Sequence, residues 1–109
     1  MKKDLLIYQT PSGKEPFTDW RKKLKDNAVI ARIDKRLQDL SLGYYGDYKK
    51  LGGELLELRL HFGKGYRVYF AELGPVILLI LSGGTKNNAG EQSRDIAKAR
   101  AYLKEFLER

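Results

Sequence analysis

The sequence predicts an α+β domain: a single, mainly antiparallel, twisted sheet with two N-terminal helices on one face and a C-terminal helix near the other. Three observations predict it. Residues 54–70 alternate apolar and polar in two runs around Gly63-Lys64-Gly65, as half-buried strands joined by a tight turn do. Between residues 16 and 42 the apolar side chains recur at three and four, the spacing of helices. Residues 76–81 are continuously apolar, as in a strand covered on both faces. With one strand ahead of the helices and one helix after the last strand, the order is β-α-α-β-β-β-α. The length, 109 residues, fits one domain spanning residues 1–109.

Each element has a local reason. Leu5-Leu6-Ile7-Tyr8 is a short apolar run ended by Thr10-Pro11-Ser12-Gly13, a strand followed by a turn. Pro16 suits the first turn of a helix reaching about Asp26, where its missing N–H costs nothing. Phe17, Trp20 and Leu24 form its apolar stripe. Asp26 or Asn27 caps a second helix through a side-chain oxygen. Ile30, Ile33, Leu37 and Leu40 give that helix one apolar face, and Gly43 ends it. Residues 44–53, with their glycines, tyrosines and the pair Lys49-Lys50, read as a loop. Gly74-Pro75 turns the chain after the hairpin, and Gly83-Gly84 breaks the following strand. Asn88-Ala89-Gly90-Glu91 resembles a capping box, with Ser93 a later starting point for the last helix. Ile96, Ala99, Leu103, Phe106 and Leu107 supply that helix with an apolar stripe.

Composition narrows the chemistry. Twenty-one lysines and arginines stand against 14 acids, a net charge of +7, which favours polyanions, nucleic acid first and acidic proteins second. The absence of cysteine excludes disulfides and thiolate metal sites, and one histidine excludes a multi-histidine site. No cofactor is expected. Lys2-Lys3 precede too short an apolar run for a signal peptide. No segment reaches the roughly 18 apolar residues of a membrane helix. The expected compartment is the cytoplasm, with no membrane partner.

The hairpin offers a surface for a phosphate. One face collects Glu57, Arg59, His61, Arg67 and Tyr69; the other is apolar from Leu56 to Phe70. With Gly63-Lys64-Gly65 as a three-residue loop, Phe62 pairs with Tyr66, His61 faces Arg67 and Arg59 faces Tyr69. Such a patch suits RNA cleavage by its own 2′-hydroxyl. Arginine binds phosphate through a planar fork and stays charged, and imidazole moves protons near neutrality. Arg59 and Arg67 are thus candidates to stabilise phosphoryl oxygens, and His61 to move a proton. Tyr69 is a candidate base-stacking platform. Lys64 at the turn tip and Lys49 and Lys50 are candidate RNA or ribosome contacts. The Gly83-Gly84 pair belongs to no phosphate-binding glycine motif and is expected to let the backbone twist.

At these residues the chain resembles the RelE/ParE superfamily of toxins from type II toxin–antitoxin modules, in its addiction-module killer protein, HigB-like branch. The resemblance runs almost the whole length. It rests on Pro16-Phe17 with Trp20, residues 46–51, Glu57-Leu58-Arg59, residues 63–70, residues 79–86 and Asp95-Ile96-Ala97-Lys98-Ala99. It implies a compact toxin fold and a metal-independent, ribosome-dependent mRNA endonuclease that leaves a 2′,3′-cyclic phosphate. It also implies a cognate helix-turn-helix antitoxin, through which any contact with DNA would be indirect. Residue by residue, Arg59, Arg67 and Lys86 match positions that are basic in cleaving relatives, and Lys49 and Lys50 lie in a loop that is often basic. The chain departs from some relatives in carrying Lys86-Asn87-Asn88 where two basic residues can stand, and in lacking a tyrosine or histidine just before the last helix. His61 is the candidate to fill the resulting gap in proton transfer. The same fold also admits a non-catalytic toxin of the ParE type acting on DNA gyrase, and a weakly toxic relic that holds its antitoxin.

Overall fold

The computed structural model describes residues 2–86 and 88–109. Five strands and three helices follow in the order β1 (Asp4–Ile7), α1 (Pro16–Lys23), α2 (Asn27–Ser41), β2 (Tyr48–Gly52), β3 (Leu55–Leu60), β4 (Tyr66–Leu73), β5 (Ile77–Thr85) and α3 (Ala89–Leu107). The strands form one mixed sheet ordered β1-β5-β4-β3-β2, with β1 parallel to β5 and every other pair antiparallel. The domain is α+β.

Helices lie on both faces because both faces are apolar. Phe17 of α1 and Val29, Ile33 and Leu40 of α2 pack on Leu56, Leu58, Leu60, Val68, Phe70 and Ile80. Ala99 and Leu103 of α3 pack on the opposite face, against Tyr8, Leu55, Tyr69, Ala71, Leu79 and Leu81. Strand side chains alternate between faces, so β3, β4 and β5 feed both cores.

Pro16 opens α1, as its fixed φ favours. That helix ends at Lys23, short of Asp26, because Lys25 takes a positive φ of 58°. Asp26 is the cap of α2 and accepts from the N–H groups of Ala28 and Val29. The Asn88 side chain accepts from the Glu91 N–H at 2.9 Å, so α3 starts at Ala89 and not near Ser93.

Two expectations change. Residues 48–52 form a strand and not a loop: Tyr48, Lys49 and Lys50 pair with Leu58, Glu57 and Leu56 at the open edge of the sheet. Gly83-Gly84 does not break β5, which continues to Thr85. Neither glycine needs a left-handed backbone. A Cβ on Gly83 would sit inside the Trp20 indole, and one on Gly84 would strike the Asp95 carboxylate. The pair lets α1 and α3 close onto opposite faces of one strand.

Candidate functional site

β3 and β4 aim Glu57, Arg59, Arg67 and Tyr69 at the face that α3 covers. The register differs from the one expected. Leu60 pairs with Tyr66, so residues 61–65 form the loop, Arg59 faces Arg67 and Glu57 faces Tyr69. The loop is longer because its turn closes inside it: the Gly65 N–H donates to the Phe62 carbonyl at 2.9 Å, with Gly63 and Gly65 at φ 55° and 83°. Phe62 meets Tyr66 through its ring, centroids 5.5 Å apart, and not across the ladder. A slip of two residues preserves the faces, so the polar set stays together.

Two arginines directly opposite one another repel. Glu57 between them is wholly buried and answers both. Its Oε1 accepts from Arg59 Nε at 2.9 Å. Its Oε2 lies 3.5 Å from Arg67 Nε, an ion pair without hydrogen-bond geometry, and accepts from Gln92 Nε2 of α3 at 3.0 Å. The side chains of Arg59 and Arg67 are 30% and 13% exposed. Glu57 therefore meets each guanidinium at its Nε. Among the described residues the η nitrogens of both arginines have no hydrogen-bond partner.

Asp95 of α3 lies over Gly84, opposite Arg67 on β4. Burial raises its pKa above the usual carboxylate value; Lys98 opposes the rise, Glu91 adds to it, and Arg94 and Arg67 oppose it. Tyr69 is fully buried and its hydroxyl has no hydrogen-bond partner among the described residues. Burial and the charge of Glu57 push its phenol pKa up. Because α3 covers its ring, Tyr69 cannot serve as the base-stacking platform expected of it.

Arg59, His61, Arg67 and Lys86 line one surface dent, with Leu60, Gly65 and Tyr66 completing its wall. Its volume is about 10 Å³, the room of a single water. A phosphate would rest on this surface rather than sink into it. His61 is exposed and its Nε2 pairs with Asp47 Oδ2. Lys86 is exposed beyond β5, its N–H bonded to the Gly65 carbonyl at 2.9 Å. Asn87 lies outside the described residues.

The remaining lysines do not gather at the dent. Lys49 and Lys50 are exposed on β2 and point to opposite faces, Lys49 opposite Glu57 and Lys50 opposite Leu56. Lys64 is exposed in the 61–65 loop. None of the three lines the dent.

Three partners escaped the sequence. Glu57 belonged to the polar face, but its place between two arginines needed the true register. Asp47 stands in the 46–51 stretch that carries the resemblance, but nothing there pairs it with His61, and Arg36 of α2, which bonds the Arg59 and Asp47 carbonyls, gives no signal. A second opening, about 290 Å³, lies between α1 and α3 beside Ser82 and Gly83, walled by Trp20, Tyr102 and Lys98.

No family model matches the chain. Over 90 residues it is 36% identical to an uncharacterized protein of Haemophilus influenzae, an alignment covering 83% of this chain and 88% of that protein. The chain belongs to the family of that protein. The alignment covers more than four fifths of each chain, so the likeness extends well beyond the hairpin.

Proposed function

We propose that this protein is the toxin of a type II toxin–antitoxin pair, with the RelE/ParE-like fold and a metal-independent, ribosome-dependent mRNA endonuclease activity in the cytoplasm. The observation that carries the reading is the arginine pair held by one buried carboxylate at the floor of a dent shared with His61 and Lys86. The hydrogen bond at Arg59 Nε and the ion pair at Arg67 keep both guanidinium groups beside one carboxylate before substrate arrives, and donors placed in advance act most strongly on charge that develops in a transition state.

In this reading the 2′-oxygen of the message attacks the adjacent phosphorus and the P–O5′ bond breaks, giving a 2′,3′-cyclic phosphate and a 5′-hydroxyl. Arg59, Arg67 and Lys86 neutralise the phosphoryl oxygens. His61, as imidazolium, gives its proton to O5′, while the 2′-hydroxyl proton passes to solvent water. Lys49, Lys50 and Lys64 add to the basic surface that meets RNA or ribosome. The net charge of +7 also suits an acidic segment of a cognate helix-turn-helix antitoxin.

The test is induction of wild type, Arg67→Ala and Lys86→Ala in bacteria, with mRNA 5′ ends mapped by primer extension and growth followed with and without the protein of the adjoining gene. Wild type should produce new in-frame cuts, and the neighbour should restore growth. Arg67→Ala should cut about 100- to 1000-fold more slowly. Lys86→Ala removes an exposed side chain and should weaken cutting without touching the fold. Growth arrest with intact messages would move the reading to a binding toxin of the ParE type. Absence of arrest would move it to an antitoxin-holding relic.

A further inference from the structure

Three hydrogen bonds from one guanidinium hold the backbone beside the dent. Arg36 of α2 donates from Nη1 to the Arg59 carbonyl at 2.7 Å, and from Nη2 to the Tyr45 and Asp47 carbonyls at 3.2 Å each. The Arg59 N–H donates to the Asp47 carbonyl at 3.0 Å. Gly46, at φ 64°, leaves room for the clamp: a Cβ there would stand 3.0 Å from Arg36 Nη2. The Asp47 carbonyl is therefore tied to β3 through the Arg59 N–H and to α2 through Arg36. On the other chain segment, Arg32 lies over the Phe62 ring at 4.9 Å from its centroid and steadies the loop that carries His61. A surface pair of two free side chains would contribute little and wander. Here both partners stand on anchored backbone, and their side chains meet at His61 Nε2 and Asp47 Oδ2.

We infer that Asp47 is a positioning residue for His61: it holds Nε2–H, turns the ring, and presents Nδ1 to the phosphate held by Arg59, Arg67 and Lys86. The inference rests on the nuclease reading above. In the step it serves, the imidazolium proton on Nδ1 passes to O5′ as the P–O5′ bond breaks. The neutral ring keeps its Nε2 proton against Asp47 and regains the other from solvent water. An acid–base group oriented by a third side chain is a recurring arrangement in nucleophilic catalysis. Arg36 acts one step further back, through the backbone of Asp47.

The chain has one histidine, so its ring signals in a magnetic resonance spectrum are unambiguous. The experiment compares wild type, Asp47→Ala, Asp47→Glu, His61→Ala and the Asp47→Ala/His61→Ala double variant. Message cleavage is measured on programmed ribosomes under single-turnover conditions, and ring contacts of His61 in the free protein. Asp47→Ala should slow cleavage about 10- to 100-fold, the scale of a misplaced catalytic group. The ribosome concentration for half-maximal rate should stay the same. Asp47→Glu should recover part of the loss. The double variant should be no slower than His61→Ala, because the two side chains act as one unit. The ring carbon protons of His61 should show contacts to the Asp47 β-protons in wild type.

Additive losses, or full activity in Asp47→Ala, would overturn the inference and leave the nuclease reading standing. Missing ring contacts in a wild type that cleaves would do the same. A wild type that shows the contacts but never cleaves would overturn the nuclease reading, and Asp47 would then be a structural partner only.

Discussion

The two faces of this sheet are built by opposite rules. The face under α1 and α2 is apolar wherever it is buried, with Leu58, Val68, Phe70, Ile33 and Leu40 fully enclosed. The face under α3 begins the same way around Leu79, Leu81 and Ala99, then changes two rows along to Glu57, Arg59, Arg67 and Tyr69. Ion pairs are a poor way to fill a core: well-packed apolar residues of similar size are often as stable or more so. The first face shows that this chain has such residues in the same strands. The second face keeps its charges where α3 and β5 give way to the dent, so stability alone does not account for them.

The largest break in that comparison comes from removing Glu57. Glu57→Ala leaves two guanidinium groups opposed and partly buried without their carboxylate. It should lower stability by about 3–5 kcal/mol, read from urea denaturation. The triple variant Glu57→Leu/Arg59→Leu/Arg67→Met makes the second face resemble the first. It should regain that loss or exceed wild type by about 1–4 kcal/mol, and it should cut no message. A triple variant less stable than Glu57→Ala would mean the charged rows hold the fold and are not kept for chemistry.

How much of this was legible depends on which force decides each feature. Alternation placed β3 and β4, and three-and-four spacing placed α1 and α2, because burial acts on every residue of those runs. β2 is hidden in the sequence because Tyr48-Lys49-Lys50-Leu51-Gly52 is an edge strand that buries almost nothing, so no periodicity marks it. The extension of β5 is hidden because glycines ordinarily end a strand. Here they answer to Trp20 and Asp95, which arrive from distant segments. The site was half legible. Its basic residues stand out in the strand alternation, but the partners that orient them are set by a five-residue loop and by α2, and loop length decides register.

The Trp20–Gly83 contact offers a smaller test on the apolar face. Gly83→Ala puts a methyl group where the indole lies, and α1 must shift to admit it. Overpacking of this kind costs about 1–3 kcal/mol. Arg59 and Arg67 stand on the other face, so cleavage should survive in whatever fraction stays folded. A Gly83→Ala protein that folds fully but fails to cut would couple the two faces and weaken the contrast drawn between them.

Asp95 gives the smallest effect and the clearest sign. Its carboxyl is raised in the folded chain, chiefly by burial, so folding favours its neutral form. The stability tied to that preference is fully present below the unfolded aspartate value of about 3.9 and is lost as pH rises through the higher folded value. Asp95→Asn removes the titration while keeping the shape over Gly84. The variant should match wild type near pH 3 and be the more stable of the two at pH 7. The gap should open above about pH 4, measured as the difference in urea midpoint across pH. Should the asparagine variant instead be weaker at pH 7, attraction from Lys98, Arg94 and Arg67 would outweigh burial. Asp95 would then join Glu57 as a second carboxylate that the ionic face requires.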